Sequence, residues 1–157
     1  MNEQGPLAIV DQLVDAGVRL VVIGGHAVNF HGYLRATEDV DIVFERTVAS
    51  EQALTKVLQE AGAYWISDEI DPRTGVEKTI PVTIDYVHRT HLMMLGSEYG
   101  YVDLFDFVPG CPGQPLDDLF ASATVLDRRP FVSLAWLKRM KRAANRPQDQ
   151  IDLEHLP

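Results

Sequence analysis

Apolar residues at Leu7, Ile9, Val10, Leu13 and Val14 recur at helical spacing and stop before Gly17, which predicts a first helix closed by a glycine cap. The short apolar run Val21-Val22-Ile23 predicts a buried strand, and Ala27 to Phe30 a short helix. From Asp39 to Phe44 the pattern alternates, so Asp39 and Asp41 share one face of a strand while Val40 and Ile42 point into the core. Ser50 is placed to cap a helix running to about Glu60, with Ala53, Leu54, Val57, Leu58 and Ala61 inward and Gly62 ending it. Tyr64 to Ile66 is a short strand candidate, and residues 68–75 carry turn signals. Val82 to Val87 and His91 to Leu95 are weaker strand candidates of open register. Tyr101 to Val108 is a strong one, ended by Pro109-Gly110.

Towards the carboxyl end, Leu116 to Ala123 predicts a helical turn or two, and Thr124 to Leu126 pairs with Phe131-Val132 around Asp127-Arg128-Arg129. Ser133 caps a helix from Leu134 to Ala144, and a shorter helix follows Pro147. No repeat or low-complexity tract is present. The order of elements predicts a single α+β domain over 1–157, its mixed sheet covered by helices mainly on one face, with 133–157 a helical segment packed on it.

A length of 157 residues and 46% hydrophobic content support one domain with its own core. The apolar runs are too short to span a bilayer, and Met1 to Gln4 has no basic region ahead of an apolar stretch, so a cytoplasmic protein without a membrane segment is expected. The lone Cys111, inside Pro-Gly-Cys-Pro-Gly, suits a turn and a reducing compartment. A net charge of −9 repels extended duplex nucleic acid. From Arg128 to Arg146, however, there are seven basic residues and no acid, a segment able either to hold a triphosphate or short RNA or to form a solvated helix face.

Gly24-Gly25 follows the first strand, and thirteen residues separate it from Asp39-Val40-Asp41. The glycine pair lets backbone approach a ligand closely, with a helix amino end facing an anion. Two acids side by side repel unless a cation lies between them, and an all-oxygen pair favours magnesium or manganese over zinc. A third oxygen ligand on a neighbouring strand would complete a phosphoryl-transfer site, and Asp103 is the candidate; Asp106 lies on the other face of that strand. Arg35 and Thr37 lead into the carboxylate strand, either to assist phosphate and Asp39 or as a salt-bridged loop. His26 lies close enough to the glycines to touch phosphate, and neither His26/His31 nor His88/His91 has the spacing of a helical zinc pair. Gly-Gly-His-Ala-Val is not the dinucleotide fingerprint, and the acids arrive about 15 residues on instead of about 20. Asp149 and Asp152 share a helix face near Arg142 and Arg146, and Trp65 and Trp136 suit the core.

The strand, Gly24-Gly25, the spacer, Asp39-Val40-Asp41 and the later Val102-Asp103-Leu104 together resemble the minimal nucleotidyltransferases of the DNA polymerase β-like superfamily. With Gly24-Gly25-His26-Ala27-Val28, Arg35 to Asp41, and the tail Lys141-Arg142-Ala143, Arg146-Pro147-Gln148-Asp149 and Asp152-Leu153, most of the chain is similar to the small bacterial branch related to toxin-type and antibiotic-modifying enzymes. The resemblance implies that Asp39 and Asp41 bind the nucleotide and catalytic magnesium, that Asp103 is base and metal ligand, that Gly24 and Gly25 cradle phosphate and that Lys141 neutralises the triphosphate. It implies transfer of a nucleoside monophosphate from a triphosphate, ATP among them, to RNA, protein or a small molecule, with release of pyrophosphate. The toxin-type enzymes are longer, which leaves an acceptor platform either absent here or formed by dimerisation. Two other readings stand beside it: a degenerate nucleotidyltransferase-fold partner protein such as an antitoxin, and a metal-dependent hydrolase using His88 or His91.

Overall fold

The computed structural model describes residues 4–157. Helix α1 (Leu7–Asp15) buries Ile9, Val10 and Leu13 and leads into β1 (Leu20–Ile23), which is buried along its whole length. Helix α2 (Gly24–Phe30) begins at the glycine pair itself, three residues earlier than the apolar pattern suggests. Then come β2 (Asp39–Phe44) and α3 (Val48–Glu60). Thr47, not Ser50, caps α3; Ser50 is the reciprocal member of a capping box, its hydroxyl accepting from the Thr47 amide at 2.7 Å.

Strand β3 (Tyr64–Ile70) runs further than its apolar start, and β4 (Glu77–Pro81) pairs with it in a separate two-stranded sheet. Part of the expected 68–75 loop is therefore strand. Because β4 is exposed at all but one position, no apolar alternation marked it. Val82 to Val87, expected as a strand, is instead the start of α4 (Ile84–Arg89). The Thr83 hydroxyl accepts from the Tyr86 amide at 3.2 Å, and Tyr86 and Val87 are buried together while Ile84 is exposed, a helical pattern that two turns are too short to advertise.

Strands β5 (Leu92–Leu95) and β6 (Tyr101–Phe105) follow, then α5 (Asp117–Ala121), the hairpin β7 (Thr124–Leu126) and β8 (Arg129–Phe131), α6 (Leu134–Ala144) and α7 (Pro147–His155). The main sheet has the order β5-β6-β2-β1-β8-β7 and is mixed: β2 lies antiparallel to β1 and parallel to β6. Its larger core joins Leu20, Val22, Val40, Ile42, Val102 and Leu104 to α1, α3 and α4. The opposite face carries a smaller core, in which Val21, Ile23 and Val43 meet α2, α5 and α6. The fold is thus α+β with a mixed sheet, as the order of elements predicted. No helix among the described residues is long and apolar enough to cross a membrane.

Candidate active site

The pairing of β2 with β6 sets Asp41 directly beside Asp103 and Asp39 beside Tyr101, and the pairing of β1 with β2 sets Ile23 beside Asp41. All five lie on the smaller-core face, while Val40, Ile42, Val102 and Leu104 between them are fully buried on the other. The rigid sheet therefore fixes the two carboxylates side by side. Burial first, then the charges of Asp103 and Asp39, raises the Asp41 carboxyl to about 7. Burial and the charge of Asp39 raise Asp103 as well, and a hydrogen bond joins the pair. Asp106, on the far side of β6, is engaged elsewhere: it accepts from Arg46 at 2.7 Å and meets His91 at 2.7 Å. His88 meets Glu51 at 2.8 Å, so neither histidine of the hydrolase reading joins the acid pair.

Gly24 stands over Asp41. Its φ of +66° favours glycine, and a Cβ there would lie 2.1 Å from Asp41 Oδ2. At Gly25 a Cβ would lie 2.5 Å from Thr37 Oγ1 and 3.2 Å from Arg35 Nη1. The glycine pair thus admits the carboxylate and the Arg35–Thr37 loop to the start of α2. Gly24→Ala is expected to push the Asp41 carboxylate aside and to cost ~1–2 kcal/mol for its left-handed backbone alone. Thermal unfolding tests this, with Gly113→Ala, where nothing stands within 4 Å, as the control; equal stability of the two variants would contradict it.

Arg35 does not point free into solvent. It donates to both Asp152 oxygens, at 2.7 and 2.9 Å, and its amide donates to Asn29 Oδ1 at 2.9 Å. Thr37 donates to the Asp39 carbonyl at 3.3 Å. Lys141 is buried, 2.8 Å from Asp152 and 3.2 Å from Asp149, and Arg146 donates to Asp149 at 2.8 Å. A chain of alternating charges therefore ties the 35–37 loop to α6 and α7. Buried Asp149 and Asp152 have Lys141 as a common partner, and the other cations paired with them are Arg35 and Arg146 rather than Arg142. The Arg35, Lys141 and Gln148 hydrogen bonds outweigh burial and hold Asp152 at about 2.

Two adjoining cavities open over this floor. The polar one, of 490 Å³, is lined by Gly24, Gly25, Arg35, Thr37, Asp39 and Asp41 together with Lys141, Arg146 and Asp149. The other, of 290 Å³, has Asp41 and Asp103 on its floor and Phe105, Leu137 and Met140 among its walls. Gly24, Asp41, Lys141, Arg146 and Asp149 belong to both. His26 lines neither; its Nε2 is buried without a partner among the described residues, and burial, followed by the charges of Arg129 and Arg35, lowers its pKa and keeps it neutral. Phe105 and Met140 were not singled out from the sequence, and Arg146 was named in the basic segment and the tail but not as a site residue. Arg146 carried a signal, since it ends the acid-free basic segment, whereas Phe105 and Met140 have the pattern of ordinary core residues.

Much of that basic segment is engaged within the fold, although Arg142 is exposed. Arg128 pairs with Asp15, Arg129 with Asp11 at 2.7 Å, Lys138 with the Pro157 carbonyl, and Arg139 lies over Trp136.

No protein-family model matches the sequence, and no curated protein matches it. Among solved structures, the chain is similar to the lincosamide antibiotic adenylyltransferase LnuA in its lincomycin-bound crystal structure. The TM-score is 0.58 at 20% identity, over 98% of this chain and 95% of that one. A match to JHP933 from Helicobacter pylori has a TM-score of 0.44 at 13% identity, over 90% of this chain and 57% of that one. The first likeness is one of fold: the chain has the nucleotidyltransferase fold over nearly its whole length.

Proposed function

We propose that this protein transfers a nucleoside monophosphate from a nucleoside triphosphate to a hydroxyl acceptor and releases pyrophosphate. The observation that carries the reading is the Asp41–Asp103 pair, held side by side by strand register at the floor of a cleft whose wall is Gly24-Gly25 and the Arg35 loop. A buried acid pair that raises its own proton affinity lacks a positive charge, and a divalent cation supplies one. No three His, Cys, Asp or Glu side chains among the described residues form a ready ligand cluster. Magnesium fits nonetheless, because it commonly takes one or two carboxylates and completes its shell with water and substrate phosphate oxygens.

In this reading Asp41 and Asp103, with Asp39 nearby on the same strand face, would hold magnesium or manganese, whose chemistry when bound is to neutralise charge on the phosphoryl oxygens and acidify the acceptor hydroxyl. The remaining steps belong to the chain. The backbone at Gly24 and Gly25, with Thr37, Arg35 and Arg146, receives the triphosphate, and Lys141 holds Asp149 and Asp152 in place beside it. The Asp103 carboxylate accepts the proton of the acceptor hydroxyl, whose oxygen bonds to the α-phosphorus. The bond from that phosphorus to the β-phosphate bridging oxygen breaks, and pyrophosphate leaves with the electron pair.

The test is transfer of label from α-labelled triphosphates to components of a cell extract, alongside melting temperatures. Magnesium with a triphosphate is expected to raise the melting temperature, and NAD to leave it unchanged. If none of the four triphosphates labels any acceptor, while one protein co-purifies equally well with wild type and with Asp41→Ala, the antitoxin-like partner reading replaces the enzyme.

A further inference from the structure

We infer that the smaller cavity is the acceptor site and that the acceptor is a compact alcohol: an uncharged, largely apolar body presenting a hydroxyl to Asp103. This rests on the nucleotidyl-transfer reading above and divides its cleft in two. Arg35, Thr37 and the Gly25 backbone line only the polar cavity, which suits the anionic triphosphate. Asp103 lines only the smaller one, so a nucleophile activated by Asp103 comes from there. Asp41, common to both, lies where the α-phosphorus must be.

The walls of the smaller cavity narrow the occupant. Phe105 from the sheet and Leu137, Met140 and Ala144 from α6 give it an apolar lining. Its cations, Lys141 and Arg146, line the polar cavity as well, Lys141 as the buried partner of Asp149 and Asp152 and Arg146 within reach of the triphosphate, so an anionic acceptor would meet Asp41, Asp103 and Asp149 with no cation belonging to this cavity alone. The turn at Val108 to Cys111 closes the cavity against α6: a Cβ on Gly110 would lie 2.6 Å from Ala143 Cβ. A volume of 290 Å³ sits at the small end of ligand pockets, which run from about 300 to 1,000 Å³. An RNA end would bring phosphates to an acidic floor.

The experiment follows the Met140 methyl and the Gly24 and Gly25 amides by NMR while the full chain is titrated. The probes are magnesium with the non-transferable α,β-methylene analogue of each triphosphate, then cyclohexylmethanol. The analogue is expected to shift the glycine amides and leave Met140 in place. The alcohol, added to that complex, is expected to shift Met140 saturably. Ala144→Leu, at an exposed position on the cavity mouth, is expected to weaken alcohol binding at least tenfold and to leave analogue affinity within twofold.

Three results would overturn the assignment while leaving nucleotide binding intact. In the first, the alcohol does not move Met140 at any soluble concentration. In the second, a short RNA with a free 3′ hydroxyl moves it. In the third, the analogue itself moves Met140 and Ala144→Leu weakens the analogue but not inorganic tripolyphosphate, which would put the nucleobase in the cavity. Glycine amides unmoved by every analogue would instead remove the nucleotidyl-transfer reading itself, and the acceptor assignment with it.

Discussion

Asp41→Asn is expected to abolish nucleotidyl transfer and, in the absence of divalent cations, to make the protein more stable at pH 8.5 than the wild type. Both effects come from one cause. The Asp41 carboxyl sits buried beside Asp103 and Asp39, and its pKa rises from 3.8 in the unfolded chain to about 7 in the folded one. Between those values the folded state holds a proton that the unfolded state has released, so stability falls as pH rises and the loss is complete above about pH 7. Asparagine cannot ionise, so the variant escapes the loss. Near pH 4 the two proteins should be about equally stable, and above pH 7 the variant should gain up to ~4 kcal/mol, at about 1.4 kcal/mol for each pKa unit of the rise. Magnesium should reverse the order, since it binds the folded wild type and has lost a ligand in the variant. Transfer should drop at least about 10²–10³-fold, the scale of losing one preorganised charge-stabilising group. Urea unfolding at pH 4, 5 and 8.5, with and without magnesium, together with labelled-triphosphate transfer, checks each part. Equal stability at pH 8.5, or transfer that survives, would refute the account of the acid pair.

The acid pair was legible in the sequence because it depends on two local rules. Alternation on a strand put Asp39 and Asp41 on one face and Asp103 and Asp106 on opposite faces, and a glycine pair after an apolar run marked a close approach. Neither rule named the group that approaches. At Gly24 it is the Asp41 carboxylate itself, a contact made by the antiparallel register of β1 and β2. The two terminal helices were legible from Ser133, the cap of α6, and Pro147, the first residue of α7, whose roles are fixed within a turn. What escaped was either short or tertiary. Helix α4 has only six residues, so its apolar positions fit a strand equally well until Thr83 caps it. Strand β4 has almost no buried face. The smaller cavity exists only because α6 lies over β6, a packing that no single stretch of chain encodes, and Phe105 and Met140 therefore passed as unremarkable apolar residues. The basic run at 128–146 was visible as a charge pattern, but its partners Asp11, Asp15, Asp149 and Asp152 come mostly from distant turns of the fold.

Lys141 shows how far that last point changes an expectation. The family resemblance gives it the triphosphate, which would make Lys141→Ala a binding defect in an otherwise intact protein. In the fold its side chain is 7% exposed and its ammonium lies between Asp149 and Asp152, whose side chains are 2% and 0% exposed. Removing it leaves two buried carboxylates short of a common partner, and breaking a buried pair in this way costs about 3–5 kcal/mol. Lys141→Ala is therefore expected to lower the melting temperature by roughly 10 °C before any nucleotide is added. The acid limb should move too. Asp152 is held at about 2 against 3.8 in the unfolded chain, so its contribution is complete above pH 3.8 and is lost as pH falls through 2. With Lys141 gone, Arg35 and Gln148 still bond Asp152 but hold it down less, and acid unfolding should begin at a higher pH. Arg146, whose side chain is 74% exposed over both cavities, is the cation free to turn towards phosphate, so Arg146→Ala should weaken magnesium–triphosphate affinity with less effect on stability. Thermal and acid unfolding of both variants, with nucleotide affinity measured under conditions where each is folded, separates the roles. A Lys141→Ala protein as stable as wild type that binds nucleotide more weakly than Arg146→Ala would return the triphosphate to Lys141 and take the role of strut from it.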